Sequence, residues 1–301
     1  PALALSWAGL ALLTLATGTP VAREQWAVLE LGLDPRFLWN TALPLALLAG
    51  LVMLGGAPFH FWVADLLQGA RPWIGAAGVV ALQTCGAAWI SQRLDGIVAF
   101  PAGRQVVSDE IGFAAIAAFG AGAATLLVQR RPERRVGTLA SLNGGLVLAW
   151  FASGQPLDPV SFALWAGHLA LALAGASTLA RFMPTFVGQA PGPPLFRRHP
   201  WSGIAGLYAL ASLAGVPGTP GAMLWLASAR SLAQSGNTTL LLVMCAAWLA
   251  ALTATMRQWR QAFGVPSPVA PSRSVPLAAR ASLWIGALGL LILGGTRLWR
   301  T

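Results

Sequence analysis

Long apolar stretches separated by short polar breaks run along almost the whole sequence. Each stretch is long enough to cross a bilayer, which takes about 20 mainly apolar residues in a helix. In lipid the backbone must satisfy its own hydrogen bonds, and a helix does so within one segment. The pattern therefore predicts an all-α integral membrane protein with about nine transmembrane helices, within a range of 8–10. The predicted spans are residues 2–18, 38–68, 73–91, 110–129, 135–152, 160–182, 201–234, 238–261 and 279–297.

Glycine and proline interrupt two of these spans, at residues 55–58 and 215–221. A proline removes a helical hydrogen bond, and the carbonyl groups that it frees must find partners in protein or water. Paired interruptions are typical of transporters built from inverted repeats, whose polar site lies between the broken helices. Kinks that adjust helix packing are the alternative. The sequence predicts two broken helices in either case.

Composition excludes a soluble protein of this size, because 56% of the residues are hydrophobic and 9% are charged. The formal net charge is +10, all 19 basic residues are arginine, and the sequence holds no lysine. The arginines lie in short interhelical loops rather than on an amphipathic face with interleaved aromatic residues, so we expect no nucleic-acid partner. Membrane topology explains them better, because cytoplasmic loops collect arginine.

Counting arginines on each side of the membrane tests the topology. If residues 201–234 cross once, twelve arginines fall on the side of Arg130 and seven on the other. If these residues cross twice, the division is eleven against eight. A single crossing is therefore slightly favoured, and residues 130–135 are expected to face the cytoplasm.

A motif of unlike residues at fixed spacing lies at the first interruption, in the segment GGAPFHFWVADLLQGARP of residues 55–72. It resembles the PFHxWxxDxxxGAP signature of antiporter-like subunits of complex I, membrane hydrogenases and multisubunit sodium/proton antiporters. Arg71 displaces the final proline to position 72. The residues that carry the resemblance are Pro58, Phe59, His60, Trp62, Asp65, Gly69 and Ala70.

A second motif lies at the second interruption, where residues 212–221 read SLAGVPGTPG. This segment, with Gly215, Pro217 and Gly218 at its centre, is similar to the SLAGIPxTxGF element of the subunit N branch of the same family. A weaker match covers residues 129–145, and the whole resemblance spans about residues 36–262. It implies a truncated antiporter-like inverted-repeat fold. Residues 1–109 would be the remnant of a first repeat, 110–261 the second repeat, and 262–301 a connector with a C-terminal helix.

The resemblance also implies where a proton route would lie. In the family, buried lysines with a glutamate partner relay protons, since the pKa of a lysine shifts readily on burial. The matching positions here hold Met53, Gln83, Glu133 and Trp225, so none is a lysine. An arginine is a poor substitute, because its guanidinium stays protonated. We therefore expect a scaffold that has lost the lysine route.

The remaining polar residues are candidates for a proton relay or polar channel. His168 is the ionisable residue inside span 160–182, and a neutral histidine bonded to a carbonyl group is an equal alternative. His60 is favoured as a histidine that holds the broken helix to a neighbour. Asp65 is favoured as a carboxylate that pairs at a helix end. The full candidate set is His60, Asp65, Gln83, Glu133, Asn143 and His168.

No motif for chemistry of its own appears in the sequence, which lacks CxxC, HExxH and a phosphate-binding glycine loop. We expect no catalytic residue, no cofactor and no metal in this chain. The leading hypothesis is a mainly structural, non-catalytic membrane-arm subunit of a complex I-like, NADH-quinone oxidoreductase-type assembly, nearest to subunit N. Its expected partners are other hydrophobic membrane-arm subunits and the lipid of a bacterial inner membrane. The alternatives are an active proton-translocating subunit of that complex and a stand-alone secondary transporter.

Overall fold

The computed structural model describes residues 1–30, 35–96, 101–154, 158–183, 199–262 and 276–295, and all regular structure in these ranges is helical. The described helices are α1 (Ala2–Thr17), α2 (Ala22–Glu30), α3 (Pro35–Leu54), α4 (Phe61–Gly69), α5 (Pro72–Arg93), α6 (Pro101–Val128), α7 (Pro132–Ala152), α8 (Pro159–Ala180), α9 (Pro200–Leu213), α10 (Pro220–Gln234), α11 (Thr238–Ala262) and α12 (Leu277–Gly295). Many of them begin at a proline. Proline suits the first helical position because it has no N–H to leave unpaired there and its φ is already helical.

Helix α7 lies at the centre of the bundle, and almost all of its residues are buried. It contacts α4, α6, α8 and α10, so both broken helices pack against it. Its approach to α4 is close, because a Cβ added to Gly137 would lie 2.5 Å from the Cα of Ala64. Small residues permit such contacts between membrane helices. Helix α1 lies at the edge, where Leu10 and Leu13 form a small separate core with α3.

One end of the bundle, which we call the arginine-rich end, is formed by the C-terminal ends of α4, α6, α8 and α11 and the N-terminal ends of α5, α7, α9 and α12. Arg181, after α8, donates to the carbonyl oxygens of Gln68 at 2.8 Å and Ala70 at 2.5 Å, at the end of α4. Arg257 of α11 donates to the carbonyl oxygen of Leu127 in α6 at 3.0 Å. Described arginines at this end are Arg71, Arg130, Arg131, Arg134, Arg135, Arg181, Arg257, Arg260 and Arg280.

The second broken helix crosses the bundle once. Helix α9 begins at the arginine-rich end, where a Cβ on Gly206 would lie 3.0 Å from the Cβ of Leu179 near the end of α8. Helix α10 finishes at the opposite end, where the hydroxyl oxygen of Ser231 is 2.5 Å from that of Ser153, just after α7. Residues 200–234 therefore run from one end to the other, which is the arrangement that the arginine count favours.

Long apolar helices mark the protein as an integral membrane protein, but the predicted nine spans are not confirmed. Among the described residues, five helices are long and apolar enough to cross a membrane, or six if the pair Ala2–Thr17 and Ala22–Val28, bent by 48°, forms one span. Helices α4, α9 and α10 have 9, 14 and 15 residues, and α7 begins with charged residues. These features keep them out of the count.

Two further details differ from the prediction. Helix α2 lies between two predicted spans, and α6 begins at Pro101 rather than at residue 110. In both cases helix continues through polar sequence. Arg104, Gln105 and Asp109 are helical but remain accessible on the surface of α6, so hydropathy alone places the start of the helix too late.

Candidate functional site: a polar row between two helix breaks

The first helix break is a glycine-terminated turn after α3. Gly55 has φ of +71°, a conformation that favours glycine. Its N–H donates to the carbonyl oxygen of Val52 at 3.0 Å, and the N–H of Gly56 donates to that of Leu51 at 3.0 Å. This pair of hydrogen bonds is a Schellman motif, which satisfies part of the free carbonyl groups at a helix end.

The second break, after α9, is built in the same way. Gly215 has φ of +73°. Its N–H donates to the carbonyl oxygen of Ser212 at 3.0 Å, and the N–H of Val216 donates to that of Ala211 at 2.9 Å. Both interruptions found in the sequence are thus Schellman motifs. Each places the end of one half-helix inside the bundle.

Two buried amide side chains cover the carbonyl groups that these turns leave free. The Nε2 of Gln83 in α5 donates to the carbonyl oxygens of Leu54 at 2.9 Å and Ala140 at 3.1 Å. The Nδ2 of Asn143 in α7 donates to the carbonyl oxygen of Leu213 at 2.9 Å. Both side chains are at most 1% exposed. Each amide therefore holds the end of one broken helix to a continuous neighbour.

His168 connects the two halves of the second broken helix. Its Nε2 lies 3.0 Å from the hydroxyl oxygen of Ser212, which also accepts the N–H of Gly221 in α10 at 3.2 Å. The side chains of His168 and Ser212 are fully buried. The residues before and after the break are thereby fixed to α8 through one serine hydroxyl group.

His60 has a similar position at the first break, where it is half-buried. Its Nε2 lies 3.4 Å from the hydroxyl oxygen of Thr125 in α6, and its carbonyl oxygen accepts from Ser141 in α7 at 3.4 Å. It therefore links the turn before α4 to two other helices. A link of this kind is the role that the sequence favours for His60.

We define the polar row as His60, Gln83, Asn143, His168 and Ser212. Four of its buried polar atoms have no hydrogen-bond partner among the described protein atoms: His60 Nδ1, Gln83 Oε1, Asn143 Oδ1 and His168 Nδ1. Buried polar atoms normally have partners, because leaving one unpaired costs free energy. The row is therefore a place where a polar partner is favoured.

Asp65 and Glu133 lie outside the polar row, toward the arginine-rich end. The carboxylate of Asp65 forms an ion pair of 3.0 Å with Arg134 of α7, and its side chain is 55% exposed. Arg134 also donates to the side-chain oxygen of Gln68 at 3.2 Å. Glu133 is in the first turn of α7, where a carboxylate suits the positive end of the helix dipole. Of the predicted candidates, the structure thus places His60 and Gln83 at the first break, and Asn143 and His168 at the second.

An aromatic cluster, which the sequence did not reveal, lies beside the second break. Trp225 stacks on Trp248 with ring centroids 5.7 Å apart and an interplanar angle of 8°, and it lies 5.8 Å from Phe119. The indole N–H of Trp248 donates to the carbonyl oxygen of Gly215 at 2.9 Å. The signal available in the sequence was that Trp225 and Trp248 fall within spans rather than at the ends, where interfacial tryptophans lie.

The first break has its own tryptophan, Trp62, whose indole N–H donates to the carbonyl oxygen of Val52 at 2.8 Å. Pro58 and Phe59 lie in the turn before it, and Pro217 and Gly218 lie in the turn at the second break. Gly69 ends α4 and has open space around it, so this position does not require a glycine for packing. In the described part of the chain, no group of three His, Cys, Asp or Glu residues is arranged to hold a metal ion.

Solved structures with the same fold include chains of respiratory complex I and of the Mrp complex. A chain of respiratory complex I from Thermus thermophilus, in a structure with bound aureothin, is similar with a TM-score of 0.77 and 23% identity, over 97% of this chain and 64% of that one. A chain from the structure of the Mrp complex of Dietzia sp. DQ12-45-1b has a TM-score of 0.74 and 17% identity, over 97% and 62%. The complex I structure from T. thermophilus with bound NADH gives 0.71 and 17%, over 96% and 62%.

The chain shares its fold with chains of respiratory complex I and of the Mrp complex. It spans less than two thirds of the length of these structural relatives. No protein-family model matches the sequence, and no curated protein matches it. At these identities the likeness shows the fold, and the roles of individual residues rest on the contacts described above.

Proposed function

We propose that this chain is a membrane-arm subunit of a complex I-like, NADH-quinone oxidoreductase-type assembly, nearest to subunit N, and that its role is mainly structural. The observation that carries the proposal is the chemistry of the polar row. The carbonyl groups of Leu54 and Leu213, at the ends of α3 and α9, accept hydrogen bonds from amide side chains, which donate but do not titrate. These two amides hold the broken helices in place without a charge to move.

The positions that match the family's lysines support the same proposal. Met53 of α3 is half-buried and packs closely against α5. A Cβ added at Gly86 of α5 would lie 2.8 Å from the Cβ of Met53. Trp225 is 1% exposed and stacked in the aromatic cluster. The Nε2 of Gln83 donates hydrogen bonds to two backbone carbonyl oxygens. These environments favour apolar or neutral side chains, so we propose that the lysine proton route has been lost.

The matched breaks also support a description as two related repeats. We propose that residues 1–109 belong to the first repeat, 110–261 to the second, and 262–301 to a connector and C-terminal helix. Each of the first two parts contains one Schellman turn followed by a half-helix that runs away from the break. Repeats of this kind place broken helices around a shared centre.

A second candidate function is active proton translocation by the same subunit. It is favoured by the four unpaired polar atoms of the polar row, because groups of this kind can organise water for proton transfer. His60 and His168 would be the titrating members. A stand-alone secondary transporter is a weaker alternative, since the structural relatives come from multisubunit complexes.

Copurification tests the assembly role. The tagged chain, expressed at its natural level in a bacterial inner membrane and extracted in mild detergent, is expected to bring other hydrophobic membrane-arm subunits with it in fixed ratio. A tagged, unrelated membrane protein of similar abundance serves as the control for nonspecific capture. Recovery of this chain as a folded, monodisperse species without such subunits would favour the stand-alone transporter.

A further inference from the structure

A cleft at the arginine-rich end lies between the first turns of α9 and α12 and has no role in the polar row. Its volume is about 400 Å³, and its lining includes His199, Trp201, Arg280 and Trp284. Both helices direct their N-terminal ends toward it. The positive ends of helix dipoles favour a negative group at this place.

Arg280 gives the cleft its charge. The Nε of its guanidinium group is buried, and it has no hydrogen-bond partner among the described residues. Among the described residues, no carboxylate forms an ion pair with Arg280. The ion pair at this end of the bundle joins Arg134 to Asp65. Arg280 as a whole is only partly buried and lines the cleft, so the rest of its guanidinium group can meet an anionic partner there, and hydrogen bonds between charged groups are the strong ones.

The surroundings of the cleft are those of the membrane interface. Trp201 is 69% exposed and Trp284 is 41% exposed. Tryptophan is enriched at the level of lipid headgroups because its ring is apolar and its N–H is polar. Leu288 and Leu291, both exposed, follow Trp284 at i+4 and i+7 toward the C-terminal end of α12. They therefore lie on the same helix face as Trp284. A polar, cationic cleft thus opens onto an apolar stripe.

We propose that this cleft binds the phosphate group of an anionic phospholipid, with Arg280 as the phosphate ligand. Trp201 and Trp284 flank the headgroup, and an acyl chain lies along the stripe of Leu288 and Leu291. A free phosphate ion would use the guanidinium group but not the stripe. The combination of the two is what identifies a lipid rather than a soluble anion. Basic pockets between membrane helices on the cytoplasmic side commonly hold lipid headgroups.

Lipid titration tests the proposal on the full-length protein. The protein is delipidated in detergent and titrated with phosphatidylglycerol, and successive bound lipids are resolved by native mass spectrometry. We expect one lipid to bind more tightly than the rest, and Arg280→Gln to weaken it about tenfold, since one charged contact is worth roughly a factor of ten. Arg280→Lys should restore part of the affinity. Arg230→Gln, which alters an exposed arginine toward the opposite end, should change nothing.

Two comparisons separate the lipid from other ligands. Zwitterionic phosphatidylcholine should bind about tenfold more weakly than phosphatidylglycerol, and inorganic phosphate at millimolar concentration should not displace the bound lipid. Equal binding of the two lipids, equal effects of Arg280→Gln and Arg230→Gln, or displacement by inorganic phosphate would each overturn the proposal. If Arg280→Gln does not fold in lipid-free detergent, Trp284→Ala provides a second test. It removes one wall of the cleft and should also weaken the tight lipid, and an unchanged affinity would overturn the proposal.

Discussion

Replacing Gln83 with leucine tests whether a buried amide holds the first broken helix in place. Leucine has a similar volume, but it cannot donate to the carbonyl oxygens of Leu54 and Ala140, which Gln83 reaches at 2.9 and 3.1 Å. Both acceptors are backbone groups inside the bundle. The carbonyl group of Leu54 is at the end of α3, where no further turn of the same helix covers it.

The expected loss of stability follows from two hydrogen bonds and one opposing effect. Hydrogen bonds between membrane helices contribute about 0.6 kcal/mol each on average, up to about 1.7 kcal/mol. The Oε1 of Gln83 has no partner in the described protein, so its removal recovers part of a burial cost. We expect Gln83→Leu to lower the free energy of unfolding by about 1 kcal/mol.

Gln92 provides a matched control on the same helix. It is exposed, and the structure shows no hydrogen bond from its side chain, so Gln92→Leu should change stability by less than about 0.5 kcal/mol. Both variants and the wild type are unfolded reversibly with dodecyl sulfate in mixed micelles, followed by tryptophan fluorescence. If Gln83→Leu is as stable as Gln92→Leu, the amide does not hold the break and the reasoning fails.

Three further predictions concern packing, capping and topology. Gly144→Ala places a methyl group in overlap with a backbone carbonyl oxygen and should cost about 1–3 kcal/mol in the same unfolding assay, whereas Gly120→Ala, with open space around it, should be neutral or stabilising. The pKa of the Asp158 carboxyl is lowered by hydrogen bonds from the Ser161 hydroxyl and from backbone N–H groups. As the folded pKa is depressed, this cap contributes fully above the unfolded pKa of about 3.9 and is lost as pH falls through the folded pKa. Asp158→Ala should therefore cost about 1 kcal/mol at pH 7 and less at pH 3, and an equal cost at both would refute the charge contribution. A cysteine at exposed Arg130 should react with impermeant maleimide from the cytoplasmic side, and one at Ser235 from the opposite side; the reverse pattern would invert the topology.

Local signals were enough to locate the helix breaks from the sequence. Gly55 and Gly215 lie where a left-handed residue is needed to end a helix, and both adopt it. Prolines at 72, 132, 159, 200 and 220 begin helices, as the restricted φ of proline favours. These are short-range effects, so they are visible in the residues themselves.

The partners of the breaks were beyond the sequence because they come from distant positions. Gln83 meets Leu54 and Ala140 across 29 and 57 residues, and Asn143 meets Leu213 across 70. Nothing in the periodicity of α5 or α7 says which carbonyl group their amides will face. The stack of Trp225 on Trp248 depends on the same three-dimensional packing. The sequence predicted which residues are polar and deep, but not which atoms they bind.

The proton-to-electron ratio of the proposed complex I-like assembly is the most direct test of a scaffold role. His60 and His168 are the two histidines of the polar row, and glutamine in their place keeps a hydrogen-bonding group that does not titrate near pH 7. The matched control carries Gln92→Leu. With assembly and electron-transfer rate verified for each, we predict that the variant His60→Gln/His168→Gln pumps the same number of protons per electron as the wild type. A lower ratio in an intact, electron-transferring assembly would show that this subunit carries protons and would contradict the account.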